Sequence, residues 1–175
     1  MNIETLEDLF VAQLRNAYGT ELALLELVEK RDSDGADDLA SALETTREET
    51  ETQVERLEAV FRDLKTPVAS NRSYTVEGLV DSRRERLRAI GDNNTDANAN
   101  TNADGHDHVH DRIALETALT ATRLKRRWAD ELLTLADHLD YPEDTVELLA
   151  ASAHETHDRL HELEALEFES AGVLS

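Results

Sequence analysis

One stretch near the carboxyl end of the chain combines residue types that bind metal ions or transfer protons. It holds three histidines and two acids close together: His154, Glu155, His157, Asp158 and His161. Residues four apart on a helix share a face, so His154 with Asp158, and His157 with His161, can share one metal ion or one proton network. The alternative is an exposed helix face on which histidine is an ordinary polar residue.

Two other polar features interrupt apolar stripes. Glu21 lies between Tyr18 and Leu25 at helical spacing, which points its carboxylate inward or towards a helix seam. A buried carboxylate needs a cation, a metal or a proton unless its head reaches solvent. The second helical segment carries a polar band formed by Thr46, Glu49, Thr50 and Gln53. The band matches the height of Glu21 in an antiparallel partner, although a polar helix in an acidic chain is the simpler alternative.

Two clusters of imidazole or guanidinium side chains lie elsewhere. The tract Gly105-His106-Asp107-His108-Val109-His110 can bind a transition metal weakly, and an exposed, unstructured tract is the favoured interpretation. The second cluster consists of Arg83, Arg84, Arg86 and Arg88. No aromatic residues are interleaved with these arginines, so we expect them to pair with acids of the chain or of a partner subunit rather than with nucleic acid.

Helical periodicity predicts the elements that must position these residues. The predicted helices cover residues 4–31, 36–64, 75–90, 109–139 and 143–168. Residues 92–108 hold no apolar side chain larger than alanine, which predicts a mobile loop. Two antiparallel hairpins joined by a long crossover with a short extra helix are typical of a ferritin-like four-helix bundle. The chain, 1–175, is expected to form a single domain of this all-α class.

The amino-acid composition restricts the classes of molecule that the chain can bind. The chain has no cysteine, and 39 acidic against 18 basic side chains give a formal charge of −21. Such a surface repels nucleic acid and anionic membranes. High Asp and Glu with only three lysines are typical of a salt-adapted protein, and an acidic protein from an ordinary cell is the alternative. The first residues lack the basic and apolar regions of a signal peptide, so we expect a cytoplasmic protein.

Two segments resemble a known family. LEDLFVAQLRNAYGTELALLELVEK is similar to the opening helix of the YciE/YciF family of ferritin-like stress proteins, and EETETQVERLEAVFRDL is similar to that family's second helix. The order of elements agrees, including the short helix near EGLV, and the likeness covers nearly the whole chain. It is strong in the first two helices and weak in the last two. The resemblance implies a four-helix domain, usually dimeric, with a dinuclear metal site.

Matched by position, the resemblance implies Glu21, Glu49 and Gln53 as ligands, with Glu155 the best match in the last helix. The register there is open by about a residue, so the implied metal set is Glu21, Glu49, Gln53, His154, Glu155, His157 and Asp158. The third long helix departs from the family pattern of glutamates, because Thr122 and Lys125 stand at those positions. Lys125 would bring a cation into the site, which disfavours a ferroxidase centre.

Two hypotheses remain open from the sequence. The first is a YciE/YciF-type protein with a degraded dinuclear site that binds iron or manganese and is linked to stress or iron handling. The second is a non-catalytic helical bundle without metal that acts as a homodimeric scaffold or interaction protein. The orientation of the Lys125 side chain distinguishes the two hypotheses, because contact with Glu21 or Glu49 favours the second one.

Overall fold

The computed structural model describes residues 3–28, 38–92 and 103–173, and this part of the chain contains helices and no strand. The helices are α1 (Leu6–Leu27), α2 (Asp38–Asp63), α3 (Tyr74–Asp92), α4 (Ala103–His138) and α5 (Glu143–Val173). The prediction of an all-α fold class is confirmed for this part of the chain. Among these elements, none combines the length and the apolar character that crossing a membrane requires.

The helix boundaries agree with the periodicity except around the crossover and at the end of α5, which extends past the predicted end at residue 168 to Val173. The end of the first predicted helix and the loop after it fall in residues 29–37, which lie outside the described residues, as do 93–102. Helix α4 begins at Ala103, so it takes in the last part of the segment predicted as a mobile loop. Adding a turn to an existing helix is far easier than nucleating one, so a helix can extend past its apolar face.

Local signals fix several helix ends. Thr5 and Asp8 form a reciprocal capping box at the start of α1, in which each side chain accepts from the other residue's backbone N–H. Helices α2 and α4 are followed by Lys65 and Asp140, whose φ angles of 51° and 50° are left-handed. The backbone N–H of Thr66 then donates to the Phe61 carbonyl at 2.9 Å, which satisfies a carbonyl that the helix end leaves free.

The four long helices surround a common core. Helix α1 packs against α2 and α4, and α5 packs against the same two helices, while α3 lies against α1 and α4. The long helices that pack against each other are antiparallel, because residues early in one helix contact residues late in the other. In α1 and α4, for example, Gln13 bonds to Glu131 and Glu21 contacts Lys125. All four helices therefore contribute side chains to the same central region.

The core is divided into two apolar clusters. One cluster centres on Phe10, Phe61 and Leu132, and the other on Leu24, Leu119 and Leu163. Between them every long helix contributes buried polar side chains instead of apolar ones. This division positions the candidate site, because it places polar groups from four helices at one height of the fold.

Candidate functional site

We call the buried polar side chains between the two apolar clusters the polar layer. Its members are all at least nine-tenths buried: Thr20, Glu21, Thr46, Thr50, Gln53, Thr122, Lys125, Thr156 and Arg159. The helical spacing that places Leu14 and Leu24 in the core also brings Glu21 inward. The polar band of the second helix is buried at Thr46, Thr50 and Gln53, so its alignment with Glu21 follows the sequence expectation.

Glu21 and Lys125 form a buried ion pair across α1 and α4. The Lys125 Nζ atom lies 2.9 Å from Glu21 Oε2, and the two side chains are 4% and 9% exposed for lysine and glutamate respectively. Lys125 Nζ also donates to Thr50 Oγ1 of α2 at 3.2 Å. The ammonium therefore stands against the carboxylate that the resemblance gives as a metal ligand.

Two opposing effects act on the pKa of the Glu21 carboxyl group. Burial raises the pKa of Glu21 above its usual range, and the neighbouring Lys125 ammonium opposes that rise. The ion pair is close, but Oε2 has no hydrogen bond of normal geometry within the described chain. The charged form of Glu21 is thus stabilised mainly by the charge of one neighbouring cation.

Glu155 pairs with a different cation. Two nitrogens of Arg56 on α2 donate to its two carboxylate oxygens at 2.7 and 2.8 Å, and Gln53 Nε2 lies 3.3 Å from Oε2. The Arg56 hydrogen bonds, with help from Gln53, lower the pKa of Glu155, against a smaller opposing effect of burial. A bidentate guanidinium uses both oxygens of the carboxylate in directed hydrogen bonds.

Glu49 has the same kind of partner on the opposite helix. Arg159 on α5 donates to its two oxygens at 3.0 and 2.7 Å, and the same guanidinium contacts Glu162. The hydrogen bonds that Arg159 donates to Glu49 raise the pKa of Arg159. Glu21, Glu49 and Glu155, three of the four carboxylates in the predicted set, therefore each meet a cationic side chain of another helix.

The remaining predicted ligands lie away from the polar layer. His154, His157 and Asp158 are exposed on the outer face of α5. His154 Nε2 lies 3.4 Å from Asp158 Oδ2, and the His157 ring contacts the His161 ring. In the described part of the chain, no group of three or more histidine and acidic side chains is arranged around a common point suited to a metal ion.

A small cavity adjoins the ion pair. It offers about 20 Å³ of space for the centre of a water molecule, and its lining includes Glu21, Gln53, Lys125 and Trp128. Three buried polar atoms of these side chains lack a hydrogen bond within the described residues: Glu21 Oε2, Gln53 Oε1 and Trp128 Nε1. The polar layer therefore keeps hydrogen-bonding capacity that its own side chains do not use.

The two arginines of this network were missed at the sequence level. Arg159 lies between the core residues Thr156 and Leu163 at helical spacing, which was an available signal that it faces inward. Arg56 lies one turn after Gln53, at the end of the polar band. Sequence reasoning considered only Lys125 as a cation in the site, because it was the residue that departed from the family pattern.

Comparison with known protein families identifies the family of this chain. The profile of a family described as "Domain of unknown function (DUF892)" matches residues 5–171. The chain belongs to this family. A search of curated protein sequences gave no match. The family match and the solved structures below together confirm the resemblance to YciE/YciF-type proteins.

Two solved structures share the fold. The E. coli stress protein YciF is 22% identical with a TM-score of 0.74, and the alignment covers 97% of this chain and 99% of that one. YcfI from Rhodopseudomonas palustris, described provisionally as a structural protein, is 24% identical with a TM-score of 0.71, over 93% and 95% of the two chains. At this identity the likeness establishes the fold, and the polar layer must be interpreted from this chain's own residues.

Proposed function

We propose that this protein is a non-catalytic, YciF-like stress protein that acts as a helical scaffold. Its ferritin-like bundle carries a network of ion pairs where metal-binding relatives would hold a dinuclear site. The observation that carries the proposal is the Lys125 Nζ atom 2.9 Å from Glu21 Oε2 in the buried centre. The description of YcfI as a structural protein agrees with such a role.

The donor set argues against two metal ions in the polar layer. A dinuclear carboxylate site needs about four carboxylates and two histidines facing one another. Glu21, Glu49 and Glu155 instead face Lys125, Arg159 and Arg56. A metal ion beside Glu21 would be close to the Lys125 ammonium, and repulsion between two cations in a buried site is strong. We therefore assign the carboxylates to ion pairs.

The scaffold hypothesis places the function on the surface. We expect a homodimer, as the family resemblance implies, and a cytoplasmic location. The described surface includes exposed large side chains such as Phe168 and Tyr74, which can contribute to contacts with another chain. Analytical ultracentrifugation of the full chain should give the mass of a dimer, and a monomer at every concentration would remove this part of the proposal.

Lys125→Glu tests the proposal directly. The variant places a second carboxylate beside Glu21 in place of the cation. Repulsion between the two carboxylates should favour the binding of a metal ion. We expect calorimetric titration with manganese(II) and anaerobic iron(II) to detect binding in Lys125→Glu and none in the unmodified protein. Arg126→Glu is the matched control, because it makes the same charge change on an exposed position of the same helix.

The possible results separate the hypotheses. Specific binding by the unmodified protein as strong as that of Lys125→Glu would overturn the scaffold proposal in favour of a metal centre. Absence of binding in Lys125→Glu would show that the family's ligand positions were carried over to the wrong residues here. Binding by Arg126→Glu equal to that of Lys125→Glu would mean that surface charge, rather than the polar layer, controls the titration.

A further inference from the structure

Helix α5 presents two adjacent imidazoles on its exposed face. His157 and His161 are one helical turn apart, their ring centroids are 5.0 Å apart, and the ring planes meet at 80°. Both residues are exposed, so neither belongs to the polar layer. The pair lies outside the ion-pair network and has no part in the function proposed above.

The helix holds this pair at a fixed spacing. Leu160 and Leu163 of the same segment are buried in the core, and Arg159 is tied to Glu49 of α2 by two hydrogen bonds. The backbone beneath the two histidines is therefore anchored on both sides of His161. The exposed rings can still rotate, so a nitrogen of each can turn towards a common ion without moving the helix.

The chemistry of the pair favours a transition metal ion. A neutral imidazole nitrogen is a good ligand for zinc, nickel and copper, and copper(II) is the strongest binder among the divalent first-row ions. The chain's formal charge of −21 attracts cations to its surface. We propose that His157 and His161 form a surface site for one such ion, with copper(II) bound most tightly and water completing its coordination.

The neighbouring pair is a built-in comparison. His154 Nε2 lies 3.4 Å from Asp158 Oδ2 on the same face, so this pair offers one imidazole and one carboxylate. A carboxylate suits harder ions such as magnesium or manganese better than copper. His154→Gln therefore removes a nearby imidazole while the proposed site remains intact.

The experiment is a calorimetric titration with copper(II) chloride in a buffer that does not coordinate metals. The starting protein carries His106→Gln, His108→Gln and His110→Gln, because that tract is a second source of imidazoles. We expect it to bind one ion at the α5 pair. Adding His161→Gln should weaken that binding about tenfold or more, which corresponds to about 1.4 kcal/mol or more. Adding His154→Gln should leave it unchanged.

Copper sites outside α5 are common to all these variants and cancel in the comparison. Electron paramagnetic resonance should show nitrogen hyperfine structure from two imidazoles before His161→Gln and a changed spectrum after it. Identical isotherms with and without His161→Gln would overturn the proposal, as would an equal loss on His154→Gln. Iron(II) or manganese(II) binding that survives His161→Gln would instead count against the scaffold proposal, so the two failures are distinguishable.

The cavity beside the ion pair carries a second inference, which rests on the polar layer of the scaffold proposal. Three polar atoms there lack a hydrogen bond of normal geometry: the acceptors Gln53 Oε1 and Glu21 Oε2, the latter 2.9 Å from the Lys125 ammonium, and one donor, Trp128 Nε1–H. A water molecule has two hydrogens to donate and can accept from an N–H. The space of about 20 Å³ exceeds the 10–15 Å³ that one water needs. We infer that one internal water links these three groups in the metal-free protein.

The single tryptophan of the chain makes this inference testable by NMR. In metal-free protein we expect a cross-relaxation peak between water and the Trp128 indole hydrogen, with opposite signs in the laboratory-frame and rotating-frame experiments. Gln53→Leu removes one acceptor and should abolish the peak. Absence of the peak in the folded, unmodified protein overturns the inference whether or not that variant folds. A peak that appears only after metal has been removed would indicate that a metal ion normally occupies the cavity in place of the internal water.

Discussion

Glu21 and Lys125 illustrate why a buried ion pair is weak support for stability. Removing two charges from water is costly, and the attraction between them offsets that cost only when the geometry is excellent. Here the ion pair is short, but Glu21 Oε2 lacks an aligned hydrogen bond. We therefore expect the pair to fix the arrangement of α1 against α4 more than to stabilise the fold.

A double-mutant cycle tests this expectation. Glu21→Leu or Lys125→Met alone leaves one buried charge without its partner, so each should lower the free energy of unfolding by about 3–5 kcal/mol. The double variant should be as stable as the unmodified protein or more stable. Urea denaturation of the four proteins measures the coupling. The exposed pair Asp81 and Arg84, 3.2 Å apart, is the control and should give a coupling of less than about 1 kcal/mol.

Little coupling between Glu21 and Lys125 would contradict the ion-pair account. Tolerance of Glu21→Leu alone would do the same, because the Lys125 ammonium would then not need its carboxylate. The contact between Glu21 and Lys125 makes the buried cation depend on Glu21.

The shifted pKa values of two carboxyl groups predict opposite dependences on pH. The raised pKa of Glu21 means that the folded state binds more protons than the unfolded state above the ordinary carboxyl value of 4.5, so this contribution to stability falls as the pH rises towards the raised value. The lowered pKa of Glu155 gives a contribution present above 4.5 and lost as the pH falls through the lowered value.

Urea denaturation at a series of pH values can separate these contributions. The free energy of unfolding of the unmodified protein, relative to that of Glu155→Gln, should fall as the pH falls into the acid range. Relative to that of Glu21→Gln, it should fall as the pH rises above 4.5. Parallel curves for the unmodified protein and both variants would contradict the assigned environments of the two carboxyl groups.

At the scale of elements, apolar periodicity predicted the helices well because each long helix buries one face. Phe10 and Leu14 of α1, for example, are fully buried as their spacing required. The polar band of α2 was also visible, since polar residues on a buried stripe stand out. The start of α4 at Ala103 was not predicted, because residues beyond the packed face carry no periodic signal.

The ion-pair partners were harder to predict than the helices. Arg56 and Arg159 each reach a carboxylate on a helix distant in sequence, so their pairing depends on the register of α2 against α5. Apolar spacing defines which face of a helix is buried but does not define that register. Glu49 stood out in the polar band of α2, and Glu155 was implied as a ligand beside it only by the family resemblance, but the sequence did not reveal their guanidinium partners.

One glycine marks a close approach between α1 and the segment that follows α2. A Cβ at Gly19 would lie 2.1 Å from the Asn71 carbonyl oxygen, and Asn71 N donates to the Arg15 carbonyl at 3.0 Å. Gly19→Ala should therefore destabilise the protein by about 1–3 kcal/mol despite the better helix propensity of alanine. The backbone of Asn71 would have to move away.

Gly78 on α3 is the matched control for that change. Nothing lies within 4 Å of a Cβ added there, so Gly78→Ala should stabilise the protein by up to about 1 kcal/mol. Thermal unfolding followed by circular dichroism measures both variants. Equal effects of the two substitutions would contradict the close packing of α1 against the segment around Asn71.

At the scale of the whole molecule, the charge of −21 dominates the surface. Like charges repel one another in the compact state, and salt shortens the range of that repulsion from about 10 Å at 0.1 M to about 3 Å at 1 M. The melting temperature should rise as potassium chloride increases over this range. A sucrose series of equal osmolality controls for general solvent effects. An unchanged or lower melting temperature would contradict salt adaptation.

The central claim is that ion pairs take the place of metal ions in the polar layer. The most direct measurement is elemental analysis of untagged protein purified in high salt without chelator, followed by anaerobic iron(II) titration and exposure to oxygen. His157→Gln with His161→Gln removes the proposed surface site from the assay. We expect no stoichiometric iron or manganese and no oxygen-dependent oxidation at a protein site. About two metal ions per chain with oxygen-dependent oxidation, the pattern of a carboxylate dinuclear centre, would contradict the account.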